Sequence, residues 1–89
     1  MERTTFEQEL QRLGCTEVTT VTRAPLGRLE VHTHPFEAHA LILEGELHIQ
    51  CEGEPERLYR PGDVFHLGHA QPHSERYGPE GVHYLVGRR

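Results

Sequence analysis

The chain of 89 residues contains no lysine and no asparagine, and it has a single serine and a single aspartate. Without lysine, no mechanism that runs through a Schiff base on a lysine side chain is open to it. A serine nucleophile would have to be Ser74 with Asp63 as the aspartate, and Ser74 directly follows His73 in a predicted strand. We therefore set nucleophilic serine chemistry aside, because its three side chains must meet in space.

Long apolar runs and clusters of positive charge are missing as well. The longest apolar run, residues 40–43, is far shorter than the roughly 20 residues that a helix needs to cross a bilayer. The amino terminus does not begin an apolar signal core, so we expect a cytoplasmic protein without a membrane partner. The formal net charge is -5 and all nine basic residues are scattered arginines, which argues against a nucleic-acid partner. The two cysteines, Cys15 and Cys51, lie far apart and are expected to be free thiols.

A short amino-terminal helix is predicted at about residues 5–13. Thr4 and Glu7 have the spacing of a capping box, and Gly14 is a typical stop signal. Between them an apolar stripe recurs at helical spacing, formed by Phe6, Leu10 and Leu13. We expect this stripe to pack across the rest of the domain or onto a second subunit.

From residue 17 onward the apolar pattern alternates, which is typical of strands. Seven or eight short segments, separated by turns rich in glycine and proline, are predicted at 18–23, 28–34, 38–43, 46–51, 56–59, 64–67, 73–77 and 82–86. Strands at such regular spacing indicate a sandwich or a closed barrel. We expect one all-β domain over residues 1–89, with its barrel at about 17–87.

Histidine is the residue type in excess, with eight copies in the chain. His32 and His34 are two residues apart on a predicted strand, so both side chains point to the same face. Two imidazoles placed in this way can hold one metal ion from an extended backbone. Taken alone, the pair is equally typical of two solvated histidines. His48 and His66 alternate with apolar neighbours and are expected to face outward.

Two segments resemble the two sequence motifs of the cupin superfamily, in the family's order. Residues 27–45, GRLEVHTHPFEAHALILEG, resemble the first motif, with its alternating histidines at His32 and His34. Residues 62–77, GDVFHLGHAQPHSERY, resemble the second motif, whose histidine falls on His73. The short segment between them is typical of bacterial members. The resemblance implies an all-β double-stranded β-helix, the jelly-roll barrel of cupins, with one divalent metal ion held inside on His32, His34 and His73.

The resemblance leaves the fourth metal ligand open, because the family's glutamate falls on Ala38, which cannot bind a metal. Glu37 and His39 flank this position on the opposite strand parity, and a bulge after Pro35 would turn either of them inward. His39 is preferred for its spacing from His34. A three-histidine site completed by water is a further alternative, as is a barrel without metal whose three histidines line a polar ligand pocket.

The resemblance implies more than one class of function. The first is a small metal-binding cupin that takes up a small-molecule ligand, with zinc, nickel, manganese or iron as the ion. The alternatives are a metal-dependent dioxygenase, isomerase or decarboxylase acting on a small polar molecule, and a metal-free ligand-binding cupin. No catalytic residue is assigned, since Tyr77 and Glu37 are candidates only by proximity to the motifs. Both faces of the predicted strand 38–43 are largely apolar, so we expect each face to be buried. The outer face would be covered by the amino-terminal helix or by a second subunit, and we expect a homodimer.

Overall fold

The computed structural model describes all 89 residues as one helix followed by six strands. Two pairs of predicted strands are continuous, because 38–43 joins 46–51 in one long strand and 73–77 joins 82–86 in another. The elements are α1 (Arg3–Arg12), β1 (Glu17–Arg23), β2 (Arg28–His32), β3 (Ala38–Cys51), β4 (Arg57–Tyr59), β5 (Val64–Leu67) and β6 (His73–Arg88).

The long strands β3 and β6 pair antiparallel along most of their length and form the centre of the sheet. Strands β1 and β2 pair with the carboxyl-terminal and amino-terminal parts of β6, respectively. Strands β5 and β4 pair with the amino-terminal and carboxyl-terminal parts of β3. The molecule therefore has two four-stranded layers, β1–β6–β3–β5 and β2–β6–β3–β4, which share the two long strands in a jelly-roll arrangement.

Strands β3 and β6 pass from one layer to the other at a shared bend. The pairing register shifts between Ile42 and Glu44 and again between Gly45 and Leu47, so the ladder bulges at this point. Gly45 and Gly81 have φ angles of 78° and 75°, which favour glycine. A Cβ atom on Gly45 would overlap the Gly81 carbonyl oxygen, so only glycine fits where these two strands approach each other. The bend lets each long strand contribute side chains to both layers.

Helix α1 covers the outer face of the layer that contains β1. It occupies Arg3–Arg12 rather than residues 5–13, and its N-cap is Glu2, which makes no side-chain cap hydrogen bond. Thr4 lies inside the helix, so the predicted capping box is wrong. The apolar side of the helix packs on the chain's own barrel in a small cluster formed by Phe6, Leu10, Leu41 and Leu85.

The main apolar core fills the space between the two layers. Nine of its eleven buried residues alternate along β3 and β6 on either side of the bend, and the other two, Phe65 and Leu67, lie on β5, as expected for strands with one face turned inward. His73 and Glu75 continue the inward row at the beginning of β6 and are the two buried residues with an imidazole or a carboxylate side chain. Buried ionisable groups need partners, so this end of the barrel is where a functional site is to be sought.

The thiols of Cys15 and Cys51 are free, as predicted. No helix of the structure has the length and apolar character needed to cross a membrane.

Candidate metal centre

Three of the predicted metal ligands meet where β2 pairs with the beginning of β6. His32 is directly opposite His73, and their ring centroids lie 4.3 Å apart. His34 follows β2, with its ring centroid 4.9 Å from that of His32 and 5.3 Å from that of His73. Glu75, two residues beyond His73 on the same face of β6, completes a group whose four ligand atoms all lie within 4.8 Å of one another. The structure thus brings the three histidines together and adds a carboxylate.

Backbone carbonyl groups orient two of these imidazoles. The Nδ1 atom of His32 lies 2.7 Å from the Glu30 carbonyl oxygen, and the Nδ1 atom of His73 lies 2.9 Å from that of Gln71. A carbonyl oxygen can only accept, so each Nδ1 carries the proton and donates it. Each Nε2 atom then keeps its lone pair, which is the tautomer that can bind a metal.

The free lone pairs face the same carboxylate oxygen. The Nε2 atoms of His32 and His73 are buried without a hydrogen-bond partner, and they lie 3.4 and 3.2 Å from Oε2 of Glu75. Three acceptors at these distances repel one another unless a proton or a cation lies between them. Neighbouring ligands around an ion bound at ordinary zinc distances are also about 3.0 to 3.4 Å apart. The residues therefore fit a divalent cation.

The pKa shifts of His73 and Glu75 run in the directions expected for an imidazole beside an ionised carboxylate. Burial alone would lower the pKa of His73, but its contacts with the Glu75 carboxylate and the Gln71 carbonyl outweigh burial and raise the pKa. Burial would likewise raise the pKa of Glu75, yet His73 and then His32 hold it below its ordinary value. The pKa of His34 is lowered, chiefly by burial and then by the two other histidines.

A small cavity adjoins the cluster inside the barrel. Its volume is about 50 Å³, and both His34 and Glu75 contribute to its wall. The ring of His34 stacks on Phe36, with centroids 5.0 Å apart and planes inclined by 17°. A molecule in this cavity would therefore contact the cluster of three histidines and Glu75 directly. Other residues of the wall that bear on its chemistry are Arg23, Ala38, Tyr84 and Arg88.

The two residues considered for the fourth ligand lie in a separate cluster. The Nε2 atoms of His39 and His66 contact Oε1 of Glu37 at 2.7 and 2.9 Å. Arg89 donates to the same carboxylate at 3.1 and 3.3 Å. Arg89, and next His39, lower the pKa of Glu37 to about 2. Each Nε2 atom here acts as a donor, whereas a metal needs its lone pair, so this cluster is a satisfied hydrogen-bond network.

Strand parity explains why His39 and Glu37 are not with the other histidines. Strand β3 pairs with β5 in unbroken register from Ala38 to Leu41, so Ala38 and Ala40 face the core and His39 faces away from it. The first shift of register in β3 comes only after Ile42, too late to turn His39 inward. The structure thus differs from the preferred assignment of His39 as fourth ligand, and equally from the alternative of Glu37.

Comparisons with known proteins show which protein family the chain belongs to. No protein-family model and no curated protein matches the chain. Among solved structures, the DMSP lyase DddQ from Ruegeria pomeroyi DSS-3 superimposes on 81% of the chain with a TM-score of 0.74 and 30% sequence identity. A cupin-like protein from Thermotoga maritima superimposes on 79% of the chain with a TM-score of 0.67 and 26% identity. The chain is a member of the cupin superfamily.

This cupin spans only part of those relatives, 36% of the DddQ chain and 54% of the Thermotoga protein. KdgF from Halomonas sp., with 20% identity and a TM-score of 0.66 over 80% of the cupin and 67% of its own chain, shares the fold. The jelly-roll fold expected from the two motifs is therefore confirmed.

Glu75 is missing from the ligand set inferred from sequence, although the sequence carries a signal for it. His73 and Glu75 have the same two-residue spacing as His32 and His34, so on a strand they share one face. The spacing of the first cupin motif instead places its carboxylate ligand at residues 37–39. In the structure the carboxylate lies on β6, and Ala38 lines the adjoining cavity.

Proposed function

We propose that this cupin binds one divalent metal ion through His32, His34, His73 and Glu75. The observation that carries the proposal is the pair of buried Nε2 atoms on His32 and His73, which lack partners and face the same Glu75 oxygen. A buried acceptor left unsatisfied costs about 1 to 3 kcal/mol. A cation satisfies these acceptors together, so metal uptake stabilises the fold.

Three imidazoles and one carboxylate form a donor set that suits zinc, nickel, manganese or iron. When bound, such an ion acts as a Lewis acid that polarises an oxygen atom of a neighbouring molecule. The carbonyl groups of Glu30 and Gln71 keep the two imidazoles oriented for this task. Burial, and then the charge of Glu75, raises the pKa of Tyr77 and keeps its hydroxyl protonated. That hydroxyl points at Oε1 of Glu75 from 3.5 Å, the outer limit of a hydrogen bond.

Elemental analysis of protein purified without chelators tests the proposal. We expect about one equivalent of metal in the wild type and much less in His73→Ala, because one ligand of a four-residue set is removed. His48→Ala is the matched control, since His48 lies outside the cluster beside Glu56. Wild-type protein that carries no metal and takes none up on titration would refute the proposal. Equal metal content in His73→Ala and His48→Ala would refute it as well.

A metal-dependent enzyme is the second candidate, and the cavity favours it. His34 and Glu75 belong both to the cluster and to the cavity wall, so a small molecule bound there lies against the metal ligands. DddQ is a DMSP lyase, and DMSP is therefore the first compound to test. Consumption of DMSP that requires metal and is lost in His73→Ala would support a lyase. Unchanged DMSP would argue against that activity and leave dioxygenase, isomerase and decarboxylase reactions to be tested on small polar compounds.

A further inference from the structure

Two arginines of this cupin have no acidic partner. The other seven of the nine each lie within 4.0 Å of a carboxylate oxygen. Arg23, at the end of β1, and Arg88, at the end of β6, form no such pair, and both line the cavity beside the metal cluster. Because acidic residues outnumber basic ones by fourteen to nine, the missing partners are not explained by a shortage of carboxylates. The two guanidinium groups are available to a ligand.

Arg88 is held in position by the protein and lacks an acceptor. Its Nε atom is buried without a hydrogen-bond partner, and its guanidinium carbon lies 4.6 Å from the centroid of the Phe36 ring. Stacking on an aromatic ring leaves the N–H groups at the edge of the guanidinium free to donate. A buried charged donor without an acceptor is costly, so this arrangement is built for an acceptor that comes from outside.

The charges around the cavity favour an anion. Arg23 and Arg88 contribute two positive charges and Glu75 contributes one negative charge, while a divalent ion on the cluster would add two more positive charges. Burial, and then the charge of Glu75, raises the pKa of Tyr84 to about 12, whereas Arg23 and Arg88 act in the opposite direction. The Tyr84 hydroxyl thus stays protonated and is a further donor on the cavity wall.

The size of the cavity limits the anion to a small one. A volume of about 50 Å³ holds about four water molecules at roughly 10 to 15 Å³ each. Ala38 is the partner of Arg88 across the β3–β6 ladder, and its short side chain leaves the space beside the guanidinium open. A carboxylate on a short hydrocarbon stem matches this volume and the apolar remainder of the wall. A phosphate would bring a second negative charge close to Glu75.

We propose that the cavity binds the carboxylate of a small organic acid, with Arg88 and Arg23 as its binding residues and the metal cluster facing its other end. That the acid is the ligand of a metal centre rests on the proposed function, whereas the carboxylate contact rests on the two arginines alone. Arginine holds a carboxylate through parallel N–H donors, a geometry that lysine or a neutral amide does not reproduce.

Acetate is the probe, and the protein is used metal-free so that acetate cannot bind an ion. Isotope-labelled protein treated with a chelator is titrated with sodium acetate at constant ionic strength, and the backbone amide chemical shifts are recorded. We expect saturable shifts at Ala38 and Arg88, and none with acetamide, which has the same size without the charge. Arg88→Gln and Arg23→Gln each remove a charge-assisted hydrogen bond and should weaken acetate binding about tenfold or more.

The control variant is Arg76→Gln, because Arg76 also lies on β6 but pairs with Glu56 at 2.8 Å outside the cavity. Arg23 is exposed, so Arg23→Gln keeps the test valid even if Arg88→Gln does not fold. Equal acetate affinity in Arg23→Gln and Arg76→Gln would overturn the proposal. Shifts that do not saturate, equal binding of acetamide, or tighter binding of inorganic phosphate would overturn it too.

Metal content measured on the same preparations separates this proposal from the metal proposal. Protein that takes up no metal, yet binds acetate through Arg88 and Arg23, would refute the metal centre and leave the carboxylate site standing. Protein that takes up metal, and whose metal-free form does not respond to acetate, would refute the carboxylate site alone.

Discussion

Replacing Glu75 with glutamine tests directly what the buried carboxylate does. Glu75→Gln keeps the size and shape of the side chain but turns an acceptor-only group into an amide with two N–H donors. Glu75 is only 8% exposed, and its Oε2 atom lies 3.2 and 3.4 Å from the Nε2 atoms of His73 and His32. The amide can therefore donate to a buried Nε2 atom that has no partner in the wild type.

The substitution should act in opposite directions on the metal-free and the metal-loaded protein. Without metal, one new buried hydrogen bond contributes about 0.5 to 1.5 kcal/mol, so the free energy of unfolding should rise by about 1 kcal/mol. This comparison belongs at about pH 8.5, about two units above the ordinary histidine pKa. With metal at about 100 times the wild-type Kd, binding stabilises the wild type by about 2.7 kcal/mol. A 100-fold loss of affinity would leave the variant with about 0.4 kcal/mol of that stabilisation.

Thermal unfolding followed by circular dichroism measures both effects, because 1 kcal/mol shifts the Tm of a domain of this size by about 4 to 8 °C. We expect Glu75→Gln to unfold about 4 to 8 °C above the wild type with chelator, and about 5 to 10 °C below it with metal. Glu56→Gln is the control, since Glu56 pairs with exposed Arg76 on the surface and should change little. A metal-free Glu75→Gln that is less stable than the wild type, together with an unchanged response to metal, would refute the reasoning.

Three further predictions concern the cluster of Glu37, His39 and His66, the apolar core and the oligomeric state. The folded pKa of Glu37, about 2, lies below the ordinary glutamate value, so its stabilisation is present above about pH 4.5 and is lost as the pH falls toward 2. Urea unfolding should therefore separate wild type from Glu37→Gln at about pH 6 and bring them together near pH 2. Leu47 is 0% exposed, and Leu47→Ala should lower the free energy of unfolding by about 2 to 5 kcal/mol in the same assay. The homodimer expected from the sequence is checked by sedimentation equilibrium, where a mass near 10.2 kDa would contradict it.

The strands could be located from the alternating pattern, but their continuity could not. Gly45 and Gly81 mark ends of strands in the sequence pattern, because a positive φ is typical of turns. In the structure both glycines lie inside long strands, at the bend that the paired strands β3 and β6 share. A turn and a bulge can both require a residue with a positive φ angle, and only the pairing with the partner strand distinguishes them. That partner is far away in sequence, so local patterns carry no information about it.

The candidate site likewise contains residues that local sequence patterns place and residues that only the pairing of distant strands places. Parity alone places His32 and His34 on one face of a strand, whereas the pairing of β2 with β6, which sets His73 opposite His32, was supplied by family resemblance. Once His73 faces inward, parity requires Glu75 to face inward too, so the carboxylate sought beside Ala38 was already implied on the other strand. Its place on β6 leaves Ala38 free to line the cavity, directly across the ladder from Arg88. The position of the carboxylate thus links the two proposals, because it completes the metal ligands and also keeps open the space that a small acid would occupy.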